Sequence, residues 1–147
     1  MKRELCSYSE YVPMRDGVRM AVSVWLTEQD RQQSTTYPAL LITTRYWRDL
    51  ATEAGQPPAV QKIFYPLIED YSQSGYRVVI ADVRGTGASF GQRQAEVDRE
   101  EVADIGELIQ WASEQSWCDG RVATTGSSYS GIPTLYSLVT SPPALKV

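Results

Sequence analysis

Apolar and polar positions alternate near the start of the chain. From Tyr8 to Leu26 the apolar side chains recur at every second residue, as at Met20, Val22 and Val24, which is the period of a β-strand. The pair Asp16-Gly17 divides this stretch with a sequence typical of tight turns. The pattern therefore predicts an antiparallel hairpin.

Continuous apolar runs replace the alternation further along the chain. They cover residues 38–44, 76–81 and 122–125, and runs of this length are typical of strands buried on both faces of a parallel sheet. The polar stretch 28–36 leads to the first of these runs, and the segment 45–58 is predicted to be a loop. Asp119-Gly120 is predicted to form a turn that leads into the last run.

Helical spacing of apolar residues follows each of these runs. Between residues 60 and 71 it predicts a helix that ends at Gly75, and Pro66 either kinks this helix or marks its true start. Asp98 is placed to cap a second helix, with Glu101 three residues on, and we interpret the acidic face of that helix as solvated. A third helix begins at about Tyr129.

The order of these elements is hairpin, strand, helix, strand, helix, strand, helix. Such alternation predicts the α/β class, with a mainly parallel sheet covered on both faces by helices. Residues 1–147 are predicted to form part of one catalytic domain, in which the sheet is half built. The edge of the last strand and the apolar faces of two helices are then expected to be exposed, which favours self-association.

Composition excludes several classes of function. The net charge of −4 and the scattered lysines and arginines give no basic surface for nucleic acid or anionic lipid. No apolar run is long enough to span a membrane, and residues 1–5 are not followed by the apolar segment of a secretion signal, so we expect a cytoplasmic protein. Cys6 and Cys118 are interpreted as ordinary thiols, and with no histidine in the chain neither a zinc site nor any other cofactor is expected.

The segment Gly126-Ser127-Ser128-Tyr129-Ser130-Gly131 joins the last strand to the last helix. A serine at a sharp strand-to-helix turn needs small neighbours and gains from the free N–H groups of the helix, so it is a candidate nucleophile. The usual spacing of such a turn would place its second glycine at position 130. A glycine-bracketed turn without chemistry is the alternative interpretation.

Four sequence blocks resemble one family of hydrolases. The serine segment resembles the Gly-x-Ser-Tyr-x-Gly motif of the X-prolyl dipeptidyl peptidase and cocaine esterase (CocE/NonD) family of α/β-hydrolases, in which the second glycine is shifted. Residues 14–18 with Leu26 resemble its opening hairpin, residues 76–89 resemble its Asp-x-Arg-Gly-x-Gly-x-Ser block, and residues 117–122 resemble its Trp-Cys-x-Gly approach to the serine strand.

The resemblance implies roles for individual residues. Ser128 matches the nucleophile that forms an acyl-enzyme with an ester or amide, and the backbone N–H of Tyr129 matches one oxyanion donor. Tyr46 matches the tyrosine whose hydroxyl is the second donor, although Tyr46 and Trp47 could equally be two aromatics that pack a loop. The substrate implied is a small molecule or peptide: an X-Pro peptide, an acyl ester or a β-lactam-like amide.

The family also implies parts that these residues do not contain. Its triad is completed by an aspartate and a histidine on later strands, followed by a cap and a C-terminal β-sandwich, so the histidine-free chain is expected to be inactive alone. A non-catalytic remnant with an interaction role is one alternative. Another is a dinucleotide-binding turn at Gly85, Gly87 and Gly91, disfavoured because no helix is predicted to begin on those glycines.

Overall fold

The computed structural model describes residues 4–33, 35–48 and 59–146. Within them the chain forms five strands and four helices. The strands are β1 Leu5–Pro13, β2 Arg19–Thr27, β3 Tyr37–Thr44, β4 Arg77–Asp82 and β5 Cys118–Thr124. The helices are α1 Glu28–Gln33, α2 Ala59–Gln73, α3 Arg99–Ser113 and α4 Gly131–Thr140, with a 3₁₀ turn at Ser128–Ser130 before α4.

The five strands form one sheet in the order β1-β2-β4-β3-β5. The predicted hairpin is present, because β1 and β2 pair antiparallel from Leu5 opposite Thr27 to Pro13 opposite Arg19. β2 is also antiparallel to β4, whereas β3 is parallel to both β4 and β5. The α/β class is confirmed, and the hairpin makes the sheet mixed.

Helices pack on both faces of this sheet, as predicted. On one face Leu41 and Val79 belong to a buried cluster that includes Ile105 and Leu108 of α3. On the other face the neighbouring strand residues Ile42 and Ile80 form a second cluster with Ile68 of α2, while Phe64 and Tyr71 pack against it. Continuous apolar strands are required because successive residues enter opposite layers.

Local features add to the sequence predictions or correct them. The polar stretch 28–36 contains α1, which no pattern predicted. Pro66 lies inside α2 and does not mark its start, which leaves the alternative of a proline within the helix. The predicted turn at Asp119-Gly120 is part of β5, with Gly120 at φ +88° and a register shift between Tyr37 and Ala39 on the neighbouring strand. Of the predicted loop 45–58, residues 49–58 lie outside the described residues.

The end of the described chain lies beside the outer edge of β5. The Val122 N–H donates to the Ala144 carbonyl at 2.9 Å, and the Lys146 N–H donates to the Val122 carbonyl at 2.8 Å. The expected bare edge is thus covered at this point. By contrast, α4 leaves its apolar side chains exposed, with Leu135 and Val139 accessible over 68% and 72% of their surface.

None of the described helices is long and apolar enough to cross a bilayer.

Candidate active site

Ser128 occupies a strained backbone conformation at the turn between β5 and α4. Its φ is +56°, in the left-handed region that non-glycine residues seldom adopt and that costs about 1–3 kcal/mol. Ser127 before it is extended, at φ −126° and ψ 150°. The side chain of Ser128 is exposed. The chain thus reverses sharply at this serine and presents its hydroxyl at the surface.

Close backbone contacts limit the residues that can stand on either side of the serine, most strictly at Gly126. A Cβ on Gly126 would lie 2.2 Å from the carbonyl carbon and oxygen of Ser130, whereas a Cβ on Gly131 would lie 3.3 Å from the Gly126 carbonyl oxygen. Ser130 itself has helical angles, φ −61° and ψ −20°, which any residue can adopt. This geometry explains why position 130 tolerates a serine while position 126 needs a glycine.

Tyr46 reaches the same edge of the sheet from β3. Its N–H donates to Thr44 Oγ1 at 3.0 Å, which anchors the residue just beyond the strand. A hydrogen bond with the Ser128 side chain, followed by the contact with Arg45, lowers the pKa of the Tyr46 phenol. The carboxyl ends of parallel strands meet at one edge of a sheet, so the topology brings Tyr46 and Ser128 together.

The side chain of Tyr129 is buried and hydrogen-bonded to residues outside the serine turn. It is 3% exposed, its hydroxyl donates to Glu101 Oε1, and Arg93 Nη1 donates to the same phenol oxygen at 3.2 Å. Burial, and then the contact with Glu101, raises the pKa of Tyr129. The phenol is therefore engaged with α3, and only the backbone N–H of Tyr129 is a candidate for the oxyanion site.

The acidic face of α3 is not uniformly solvated, which corrects the sequence interpretation. Glu101 and Asp104 are each 1% exposed. Asp98 does cap the helix, accepting from the Glu101 N–H at 2.9 Å, but the Glu101 carboxylate accepts from Val97 N–H at 3.1 Å as well as from Tyr129. Sequence reasoning assigned Glu101 only to capping, and nothing in the helical pattern signalled its tyrosine partner.

The glycine-rich loop after β4 is built around Asp82. The Asp82 carboxylate accepts from the N–H groups of Arg48 at 2.7 Å and Ala88 at 3.0 Å, and a Cβ on Gly87 would lie 2.3 Å from its Oδ2. The next helix, α3, begins well beyond these glycines. The loop therefore lacks the helix N-terminus that a dinucleotide-binding turn provides.

Arg84 from the same loop pairs with the buried Asp104. Its Nε and Nη2 donate to the two carboxylate oxygens at 2.6 Å each, and its Nη1 donates to Asp16 Oδ2 at 2.9 Å. The bidentate pair with Asp104 ties the loop to α3, and the hydrogen bond to Asp16 ties it to the hairpin turn.

A pocket of about 580 Å³ opens beside Ser128 and Tyr46. Its opposite wall is formed by Phe64, Leu67 and Tyr71 of α2. A cavity of this size can hold a small organic group. Among the described residues no group of three or more histidine, cysteine, aspartate or glutamate side chains could hold a metal ion.

The sheet order and the strained serine turn define an α/β-hydrolase type of fold. The family model described as X-Pro dipeptidyl-peptidase (S15 family) matches residues 16–147. The chain therefore belongs to the X-Pro dipeptidyl-peptidase S15 family.

Three similar proteins illustrate the relationship. A Mycobacterium bovis protein that carries the name of a serine esterase is 38% identical in an alignment of 144 positions, which covers 93% of this chain and 23% of that protein. The cocaine esterase of a Rhodococcus species is 35% identical over 135 residues, or 92% of this chain and 21% of the relative. An α-amino acid ester hydrolase structure superposes with a TM-score of 0.77 at 27% identity, covering 99% of this chain and 25% of that one. The chain thus spans about a quarter or less of the length of these three proteins.

Proposed function

We propose that Ser128 is the nucleophile of a serine hydrolase that cleaves an ester or amide through an acyl-enzyme. The observation that carries the proposal is the strained, exposed Ser128 with the Tyr46 hydroxyl beside it. A non-glycine residue held at positive φ is a cost that functional sites commonly retain. Trp47, Val97 and Ser141 also have positive φ, so what distinguishes Ser128 is the combination of this conformation with the Tyr46 hydroxyl and the adjoining pocket.

The proposed reaction begins with attack of Ser128 Oγ on the carbonyl carbon of the substrate. The serine proton passes to a base, and the carbonyl oxygen becomes an oxyanion that accepts hydrogen bonds from the Tyr46 hydroxyl and the Tyr129 N–H. Collapse of this intermediate expels the alcohol or amine and leaves an acyl group on Ser128, which water later removes. Each oxyanion donor of this kind is worth about 10²–10³ in rate.

The general base is the part of the mechanism that these residues do not supply. The 147 residues contain no histidine, and carboxylates accept and return a serine proton poorly near neutral pH. We propose that a histidine and an acid from outside this sequence complete the triad, and that the present residues alone hydrolyse substrate slowly or not at all.

The substrate proposed is a small uncharged ester. The names of the relatives, two esterases and an ester hydrolase, support an ester, and the wall formed by Phe64, Leu67 and Tyr71 suits an apolar acyl or alcohol group. An X-Pro peptide and a β-lactam-like amide remain the other two candidates. A cytoplasmic location also stays a prediction, which cell fractionation would test.

Chemical rescue with imidazole tests this proposal. The chain is incubated with p-nitrophenyl acetate, with and without imidazole as an external base, and acetylated peptides are located by mass spectrometry. We expect acetylation of Ser128 that increases with imidazole concentration, because only the base is missing. Ser127→Ala is the matched control and should retain the adduct.

Two results would contradict the proposal. One is imidazole-dependent acetylation that is confined to residues other than Ser128 and is unchanged in Ser128→Ala. The other is a folded chain in which Ser128 stays unmodified at every imidazole concentration, since a formed oxyanion site should support attack once a base is present.

A non-catalytic interaction role is the second candidate, and the apolar surface of α4 favours it. Leu135 and Val139 are mostly exposed, and Ile132, Tyr136 and Leu138 are each more than 40% exposed. Exposed apolar patches of this kind often mark contact surfaces. Sedimentation of the chain and of Leu135→Glu tests self-association: loss of a dimer in the variant supports it, and a monomer in both contradicts it.

A further inference from the structure

Arg45 lies against both tyrosines of the candidate oxyanion site. Its guanidinium carbon is 5.2 Å from the centroid of the Tyr46 ring and 4.8 Å from that of the Tyr129 ring. Its Nη2 lies 3.5 Å from the Tyr46 phenol oxygen. One cation is therefore shared between the two residues that the proposed mechanism uses to bind the oxyanion.

The guanidinium is held in this position by other side chains. Arg45 forms an ion pair with Glu96, and the two tyrosine rings meet nearly edge to face, at 77° and 6.1 Å between centroids. The neighbouring charges Arg93 and Glu101 pair with each other at 3.6 Å behind Tyr129. Among the described residues, Arg45 is thus the cation that contacts Tyr46.

A cation next to a phenol makes its O–H a stronger donor, because it stabilises negative charge on the phenol oxygen. The same cation attracts an oxyanion that forms beside that hydroxyl. The contact with Arg45 is the second contribution, after the hydrogen bond with Ser128, to the lowered pKa of Tyr46. Position 45 carried no signal in the sequence, where only Tyr46 and Trp47 stood out.

We propose that Arg45 is a positioning residue of the oxyanion site, which orients the Tyr46 hydroxyl and strengthens its hydrogen bond to the developing oxyanion. This inference rests on the proposed function of Ser128. It concerns a residue that acts through Tyr46 and does not itself touch the reacting carbonyl.

The first test measures the coupling between Arg45 and Tyr46 without any reaction. The chain is labelled with ¹³Cζ-tyrosine and titrated by NMR, and the Tyr46 signal is identified by its loss in Tyr46→Phe. We expect Arg45→Met to raise the pKa of Tyr46. Arg121→Met is the matched control, because Arg121 pairs with Asp119 at the other end of β5, and it should leave Tyr46 unchanged.

The second test measures binding of an oxyanion analogue. Phenylboronic acid adds to a serine hydroxyl: the Ser128 Oγ–B bond forms, the serine proton is released to the buffer, and boron becomes a tetrahedral anion. We expect Arg45→Met to weaken this binding about two- to fivefold, the size typical of a partly exposed charge interaction. Arg45→Lys should lie between, and Ser128→Ala should abolish binding.

The outcomes separate this inference from the function on which it rests. Serine-dependent boronate binding with an unchanged Tyr46 pKa in Arg45→Met, and in Arg45→Gln as a second variant, would overturn the role of Arg45 alone. A shifted pKa with unchanged boronate affinity would overturn it too. Boronate binding that survives Ser128→Ala, or is absent from the wild-type chain, would contradict the proposed function and with it the role of Arg45.

Discussion

The hydroxyl of Tyr129 can be removed with little change in shape by Tyr129→Phe. The phenol donates to Glu101 Oε1 and accepts from Arg93 Nη1 at 3.2 Å, and the ring is 3% exposed. A hydrogen bond to a charged group contributes about 1.5–3 kcal/mol, and its loss here leaves a buried carboxylate short of one donor. We therefore expect the free energy of unfolding to fall by about 2 kcal/mol.

Thermal unfolding followed by circular dichroism measures this loss. For a chain of this length 2 kcal/mol corresponds to a fall in Tm of about 4–8 °C. Tyr136→Phe is the matched control, because Tyr136 is 43% exposed, and such surface changes usually stay within about 0.5 kcal/mol. Equal Tm values for the two variants would refute the view that the Tyr129 hydroxyl stabilises the turn.

Burial of Tyr129, together with its contact with Glu101, predicts a dependence on alkaline pH. The pKa of Tyr129 in the folded chain is raised above its ordinary value of 10.0, so the contribution is complete below pH 10 and is lost as the pH rises through the folded-state value. The difference in stability between the wild-type chain and Tyr129→Phe should therefore shrink above pH 10. A constant difference up to pH 12 would contradict this reasoning.

Three further substitutions test the turn, the helix cap and the hairpin contact. Gly126→Ala should destabilise the chain by about 1–3 kcal/mol or more in urea unfolding, because its Cβ would overlap the backbone of Ser130; an unchanged midpoint would contradict the close contact. Asp98→Ala should cost about 1 kcal/mol through the lost α3 cap, and Asp98→Ser should cost less; equal losses would contradict capping. Asp16→Asn should destabilise the folded chain at pH 7, and this effect should be lost as the pH falls below 3.8. The hydrogen bond from Arg84 lowers the pKa of Asp16 from that value, and its contribution disappears as the carboxyl is protonated. An equal effect at pH 7 and pH 3 would contradict this ion pair.

The fold could be predicted where apolar periodicity reflects burial. The hairpin, the three later strands and the long helices follow from it, since β3 and β4 have continuous apolar runs with helices on both faces. The polar helix α1 could not be predicted this way, because its six residues carry no apolar stripe. The start of β5 was missed because Gly120 adopts φ +88° within a strand, where a glycine normally indicates a turn.

In the candidate site, too, some residues could be predicted from the sequence and others could not. Ser128 could be singled out because it follows a predicted strand at a glycine-bracketed turn, and Tyr46 because the family resemblance matches it to an oxyanion donor. Their approach follows from parallel pairing through β3. The sequence did not reveal the roles of three other residues near the site. Arg93 and Glu101 contact Tyr129, which is distant from them in sequence. The contact of Arg45 with Tyr46 depends on the direction of its side chain, which no sequence pattern indicates. The exposure of apolar side chains on α4 was predicted, because the sheet was expected to be half built. The hydrogen bonds between residues 144–146 and β5 were not predicted, because no sequence pattern indicated the turn that precedes them.

The most direct test of the account is labelling of the purified chain with a fluorophosphonate, with the adduct located by mass spectrometry. Imidazole is supplied as a base, and Ser128→Ala and Ser127→Ala are treated in parallel. The account predicts an adduct on Ser128 that persists in Ser127→Ala, is lost in Ser128→Ala, and forms more slowly in Tyr46→Phe. An adduct on another serine, or no adduct in a chain that is demonstrably folded, would contradict the claim that this turn presents a nucleophile.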